Sequence, residues 1–248
     1  MRNIWTVAKR EYKLFFISPV AYAVAFLFLI ILGWVFFSGM VEAIAYSTYY
    51  SYAPTVQMVL SPMVTLVLFT LPAITMGSIS KEQSTGTMEL ILTSPMRDVE
   101  LVIGKWLGCF LFMLTLLAVT LVYPIALNMM IDPGIDQGLM VAGYAGLILM
   151  VSSLLAVGIA ISSLFSNQIV VFVVNLATVL LIWMVRNVNS TGTSSGLGYE
   201  ILKNLNLVDH YLNFYRGAIS LVDVTYFVSL TALALVLGTV FVESRRWR

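Results

Sequence analysis

Six apolar runs, each near the roughly 20 residues that a helix needs to cross a hydrocarbon core, take up about half of this chain. They are Val20–Phe37, Met63–Ile79, Trp106–Met129, Leu139–Phe165, Ile169–Val185 and Val224–Val242. With 60% hydrophobic and only 10% charged residues, the sequence has more apolar side chain than a soluble domain can bury, since soluble usage is roughly 25% charged. The reading is an all-α integral membrane protein, one domain over residues 1–248, with six transmembrane helices.

An even number of crossings puts both termini on one side, and the basic residues test that independently. Arg2, Lys9, Arg10 and Lys13 precede the first run, Lys81, Arg97 and Lys105 lie between the second and third, and Arg245, Arg246 and Arg248 follow the last. All of these fall on one side, which the positive-inside rule makes cytoplasmic. The loop Ser38–Pro62 carries only Glu42 and the loop Ile131–Gly138 only Asp132 and Asp136, as suits the opposite side, while the last external loop mixes Arg186, Lys203 and Arg216 with acids.

Before the first run, Asn3–Phe16 reads as an interfacial helix ending at the Ser18-Pro19 break, within a cytoplasmic segment 1–19. Thr6, Lys9, Arg10 and Lys13 gather on one side, while Trp5, Ala8, Tyr12 and Phe15 line another at helical spacing. Glu11 sits inside the basic region, and the apolar run that follows is too long for a signal peptide. The helix could transmit force into the bundle or act as a topology anchor.

Between the second and third runs, TMGSISKEQSTGTMELILTSP spans Thr75–Pro95. Gly86 is placed to stop the incoming helix, Thr87 to cap a new short one, Glu89 to complement its positive N-terminus and Pro95 to end it. Met88, Ile91 and Leu92, at i, i+3 and i+4, form a small apolar face outside the bilayer. Two readings are open: a docking element for a soluble partner, or an amphipathic loop on the lipid surface.

Beyond the fifth run, Asn187–Gly198 is rich in Ser, Thr, Gly and Asn and reads as a loop. From Val208, the residues Leu212, Tyr215, Ile219 and Val222 recur at helical steps, opposite Asp209, Asn213, Arg216 and Ser220. This predicts an amphipathic helix within the external segment 187–223, serving either as a re-entrant gate or as an interfacial rest.

The run interiors are nearly free of ionisable residues, whereas a proton- or sodium-driven carrier normally keeps one facing its pathway. The energy source is therefore expected outside the membrane. Ser152, Ala156 and Ala160 in the fourth run, and Gly104 with Gly108, are small-residue pairs for close helix contact, within the chain or between subunits. A single cysteine, Cys109, and a single histidine, His210, leave no basis for a disulfide, a thiolate or histidine metal cluster, or a catalytic triad. A net charge of +1 gives no reason to expect nucleic acid. No catalytic group is placed convincingly in a run for a membrane-embedded enzyme.

Three clusters of residues resemble the permease subunits of type-2 ABC transporters, in particular their gliding-motility-associated branch. They are Ala8-Lys9-Arg10-Glu11 with Ser18-Pro19; Glu82, Gly86-Thr87, Glu89, Leu92 and Pro95; and Asp209-His210 with Arg216-Gly217 and Asp223-x-x-Tyr226-Phe227. The resemblance implies an exporter half in the cytoplasmic membrane of a prokaryote, both termini cytoplasmic. It implies an interfacial helix with Lys9, Arg10, Glu11 and Lys13 and a cytoplasmic coupling helix within residues 80–100. On the outer side it implies an amphipathic helix with Asp209, His210, Arg216, Gly217 and Asp223 before the last span. Glu82, Gly86, Thr87, Met88, Glu89, Ile91, Leu92 and Pro95 are then the expected contacts with a separate ATPase, present in two copies with ATP and Mg. A second permease, identical or different, completes the unit. Gly104-Lys105 is followed by Trp106 and lacks the earlier glycine of a phosphate loop, so no ATPase, catalytic, cofactor or metal site is expected here. The alternative is a non-transporting membrane scaffold that couples ATPase activity to an envelope or motility machine.

Overall fold

A computed structural model describes residues 2–47, 54–88, 96–132, 134–190 and 206–246, all of them helical or in turns and connections. The described helices are α1 (Arg2–Phe15), α2 (Pro19–Ser47), α3 (Gln57–Thr75), α4 (Ser80–Ser84) and α5 (Asp98–Thr120), followed by α6 (Val122–Met130), α7 (Gln137–Leu164), α8 (Gln168–Ser190), α9 (Leu207–Tyr215) and α10 (Leu221–Arg246).

Among the described residues, five stretches are long and apolar enough to cross a membrane: Pro19–Ala45, Gln57–Ser84, Asp98–Met130, Gln137–Leu164 and Leu221–Ser244. The expected fifth crossing corresponds to a shorter apolar stretch, Gln168–Met184, within α8. Two loop boundaries move. The first outer connection, read as Ser38–Pro62, is helical through Ser47 and again from Gln57, with Pro62 inside α3. The segment from Asn187 stays helical to Ser190, and residues 191–205 lie outside the described ones.

The third run is broken in two. Pro124 has no N–H to donate to the carbonyl of Thr120, and the helix steps at Leu121, whose N–H turns back to Ala118 at 3.2 Å. Pro72 is instead absorbed inside α3, which continues to Thr75.

α7 is the central helix. Leu147, Met150, Val151, Leu155 and Ile159 are completely or almost completely buried along it. Its small residues serve contact within the chain: the Ser152 carbonyl accepts from Trp106 Nε1 of α5 at 3.0 Å, and the Ser152 hydroxyl lies 3.4 Å from Thr231 Oγ1 of α10. Asn175 of α8 is buried and donates to Thr75 Oγ1 of α3 at 3.2 Å and to the Gly158 carbonyl of α7 at 3.4 Å, tying three helices at one level.

Gly104 and Gly108 likewise form an internal seam, not a surface left for another subunit. A Cβ on Gly104 would stand 2.7 Å from Val7 Cβ, and one on Gly108 only 2.5 Å from Glu11 Cβ, so the two glycines let α1 lie against α5. Contacts advance in the same direction on both helices: Asn3 Nδ2 donates to Glu100 Oε2 at 3.0 Å, and Phe15 stacks on Phe112 at 4.6 Å. α1 is therefore docked lengthwise on α5. Its buried stripe keeps the expected Ala8, with Tyr12 and Phe15 packed against the core, but takes in Glu11 and leaves Trp5 57% exposed.

Gly108→Leu should displace α1 at a cost of about 1–3 kcal/mol, loosening its helical backbone so that trypsin cleaves in mild detergent at Lys9, Arg10 and Lys13, whose side chains are already at the surface. Wild-type protection of these sites in the variant would show that the seam does not hold the helix.

Candidate functional site

Lys105 is the fixed point of the α1–α4 end of the molecule. It lies on the α5 face that carries Gly104 and Gly108, and it is 1% exposed. Its ammonium has three N–H groups and three acceptors: Glu11 Oε1 of α1 at 3.0 Å, Glu82 Oε1 of α4 at 2.9 Å and the Ser78 carbonyl at 2.6 Å. The Ser78 carbonyl belongs to the turn that ends α3, where helical partners have run out. Arg10 closes the cluster, its Nη2 lying 2.8 Å from Glu82 Oε1 and 3.3 Å from Glu11 Oε1. Two cations and two carboxylates thus join α1, α4 and α5.

α4 is fixed on its other side by the end of α7. Ser162 Oγ accepts from the N–H groups of Ile79 and Ser80 at 3.1 and 3.2 Å, capping α4 from a different helix. Gln83 Nε2 donates to the Ser163 carbonyl at 3.1 Å, within the last turn of α7. Neither Glu82 Oε2 nor Gln83 Oε1, both buried, has a hydrogen-bond partner among the described residues.

The turn that follows projects outward. Ser84, Thr85, Gly86 and Thr87 are exposed, Gly86 has φ +70°, and nothing stands within 4 Å of where its Cβ would be. Gly86 follows the end of α4, where an L-residue would be strained at that φ, whereas the incoming helix α3 that it was expected to stop already ends at Thr75. Thr87 lies in the next helical turn, its hydroxyl 2.9 Å from Thr85 Oγ1 and 3.4 Å from the Glu82 carbonyl, while the residues 89 and 90 that it would cap lie outside the described ones. Met88 is 6% exposed and belongs to the chain's own core, so it is not an outward apolar face. Glu89, Ile91, Leu92 and Pro95 lie outside the described residues.

Of the α1 residues singled out in the sequence, Glu11 faces the buried cluster, Arg10 bridges it from the surface, and Lys9 and Lys13 are exposed. Lys105, Ser78, Ser162 and Ser163 were not among the expected site residues. The legible signal was Glu11, a lone acid in the middle of the stripe Ile4, Val7, Ala8 and Phe15, which demands a cation from whatever that stripe packs on.

At the opposite end, Asn206 caps α9 through its side chain, and Asp209 accepts from Asn206 Nδ2 at 2.7 Å. The helix is shorter than expected, and its buried face is Leu207, Val208, Tyr211 and Phe214. Arg216 and Gly217 form its end, Gly217 at φ +84°, so Ile219 and Val222 lie beyond the helix and stay 61% and 67% exposed. Asp223, in the first turn of α10, is buried with both oxygens engaged: His210 Nδ1 lies 2.6 Å from Oδ1, and Asn213 Nδ2 donates to Oδ2 at 2.8 Å. The His210 ring also stacks on Tyr226 at 4.0 Å. His210, Asn213 and Asp223 thus clamp α9 to the last crossing. Burial pushes the Tyr211 phenol upward, and its hydroxyl has no hydrogen-bond partner among the described residues.

Lys105→Met leaves Glu11 and Glu82 with one surface arginine between them, and it should cost about 3–5 kcal/mol, read as an earlier midpoint in an SDS titration. Adding Glu11→Gln should recover part of the loss, and an unchanged midpoint in the single variant would remove the cluster as the keystone. Tyr211→Phe should be neutral or stabilising by up to about 1 kcal/mol, and a loss of stability there would mean that the hydroxyl is engaged.

Residues 40–191 match the family model described as ABC-2 family transporter protein. That match takes in the turn after α4, Lys105 and both serines at the end of α7. No curated protein matches the chain closely enough to count as a relative. With more than half of its residues in that match and a bundle of helices built for the bilayer, the chain belongs to the ABC-2 transporter family, as a membrane permease component.

Proposed function

We propose that this chain is the six-span permease half of an exporter driven by a separate ATPase, with Gln168–Met184 supplying the remaining crossing and the α1–α4 end facing the cytoplasm. The observation that carries this reading is the exposed turn Ser84–Thr87 standing on a junction in which α1, α4, α5 and α7 are joined by buried charge and hydrogen bonds. A push on that turn moves four helices together, which a loosely tethered loop could not do. The partner binds ATP and Mg, docks on the turn and on the residues to Pro95, and acts in two copies on two permease subunits. Glu82 then serves by holding α4 to Lys105, and the contact surface shifts to Thr85, Gly86, Thr87 and the segment that follows. The distribution of Lys and Arg supports both termini on the inner side, and the family resemblance adds the cytoplasmic membrane of a prokaryote. The similarity to the gliding-motility-associated branch belongs to this proposal as well.

Affinity purification in mild detergent tests it. Wild type should bring down an ATP-binding-cassette subunit with vanadate-sensitive activity. Thr87→Arg should lower its recovery about tenfold, equivalent to ~1.4 kcal/mol, with no change in the chain's own unfolding midpoint. Glu82→Lys should lower both. Full recovery of the ATPase with Thr87→Arg would place the contact elsewhere, and repeated absence of any ATPase from intact wild-type preparations would favour an independent carrier or scaffold over both ATPase-coupled readings.

A further inference from the structure

Beneath the elbow where α1 turns into α2, a cleft of about 410 Å³ separates the start of α2 from the end of α3. It exists because the chain turns at residues 16–18 before Pro19 begins α2, and because Ala21, Ala73 and Gly77 line it with too little side chain to close it. The volume falls in the roughly 300–1,000 Å³ range of small-molecule sites. Its lining is graded along the helices: Val24 and Ala73 lie toward the middle of the bundle, while Lys81 and Gln168 lie at the α4 end. Two further lining residues, Ile17 and Val20, are 74% and 51% exposed, large apolar side chains that the protein itself leaves uncovered. Lys81 differs from Lys105 and Arg10 in having no ion-pair partner among the described residues.

We propose that this cleft holds one resident phospholipid, with an acyl chain between α2 and α3 and the phosphate against Lys81. Position makes the occupant a lipid, because the walls belong to two of the candidate membrane spans, so the bilayer is what the cleft meets. A free phosphate would engage Lys81 and leave the apolar walls uncovered, and a hydrocarbon alone would leave the lysine unmatched. Glu11 contributes both to this cleft and to the buried charge cluster, so the lipid sits directly against the junction. The inference rests on the membrane setting and not on the ATPase partner, and its test is made without that partner.

The full chain is reconstituted in nanodiscs of phosphatidylcholine and phosphatidylglycerol in equal parts, then released and weighed by native mass spectrometry. Wild type should retain about one lipid, mostly phosphatidylglycerol. Ala73→Trp, which fills the gap, should lose it, and Val20→Glu at an exposed position should do the same if the tryptophan variant folds poorly. Lys81→Gln should keep a lipid but lower the preference for phosphatidylglycerol about fivefold, the scale of one lysine at an anionic surface. Lipid-free folded wild type, or unchanged retention in both cleft variants, would overturn the proposal. So would a change of oligomeric state in Ala73→Trp with no change in lipid, which makes the cleft a contact between copies. Inorganic phosphate bound by lipid-free wild type and lost in Lys81→Gln, with no lipid retained, would reduce the site to an anion site.

Discussion

A buried ammonium needs its charge and all of its N–H groups matched, and Lys105 can meet that need only when three separate pieces of chain arrive together. Glu11 comes from α1, Glu82 from α4 and the Ser78 carbonyl from the turn after α3. Removing any one leaves a charge with incomplete compensation in a site that water hardly reaches, which is far more costly than losing a surface pair. The cluster therefore acts less as a reservoir of stability than as a geometric condition. The end of the bundle is either assembled with α1 against α5 and α4 folded under both, or it is not assembled.

The same logic governs the backbone. Short α4 begins and ends within a few residues, so its N–H groups need acceptors that it cannot supply itself. Ser162 of α7 provides one hydroxyl for two of them, and Gln83 donates in return to the Ser163 carbonyl. Each element finishes the hydrogen bonding of the other. The rigid junction that results carries the turn Thr85–Gly86–Thr87 at its surface, its two threonine hydroxyls bonded back to α4, an arrangement suited to receiving a partner's motion without dissipating it locally.

The far end solves a similar problem with different groups. Asp223 is buried in the first turn of α10, where negative charge is favoured by the helix dipole, and His210 and Asn213 occupy its two oxygens. α9 is thereby fixed as a cap on the bundle, its face of Leu207, Val208, Tyr211 and Phe214 turned inward. The arrangement favours a rest for the chain at that surface, since the buried carboxylate and its two partners would have to separate for α9 to move as a gate.

Composition and periodicity were enough to read the class of fold, because a hydrocarbon-length apolar run has few other fates. They also placed the break before Pro19, the turn at Gly86 and the amphipathic character of α1, each of which follows from one residue's backbone or one helical face. They failed where the deciding partner is distant in sequence. The α9 stripe was read one register away because Gly217 ends the helix before Ile219, and Met88 was read as outward because its covering residues are not its neighbours. Gly104 and Gly108 were legible as a close-contact surface, but only tertiary structure decided that α1 fills it. Glu11 carried a warning in its place on an apolar stripe; that Lys105 and Glu82 answer it was decided in three dimensions, because charge compensation depends on distance in space and not on spacing along the chain.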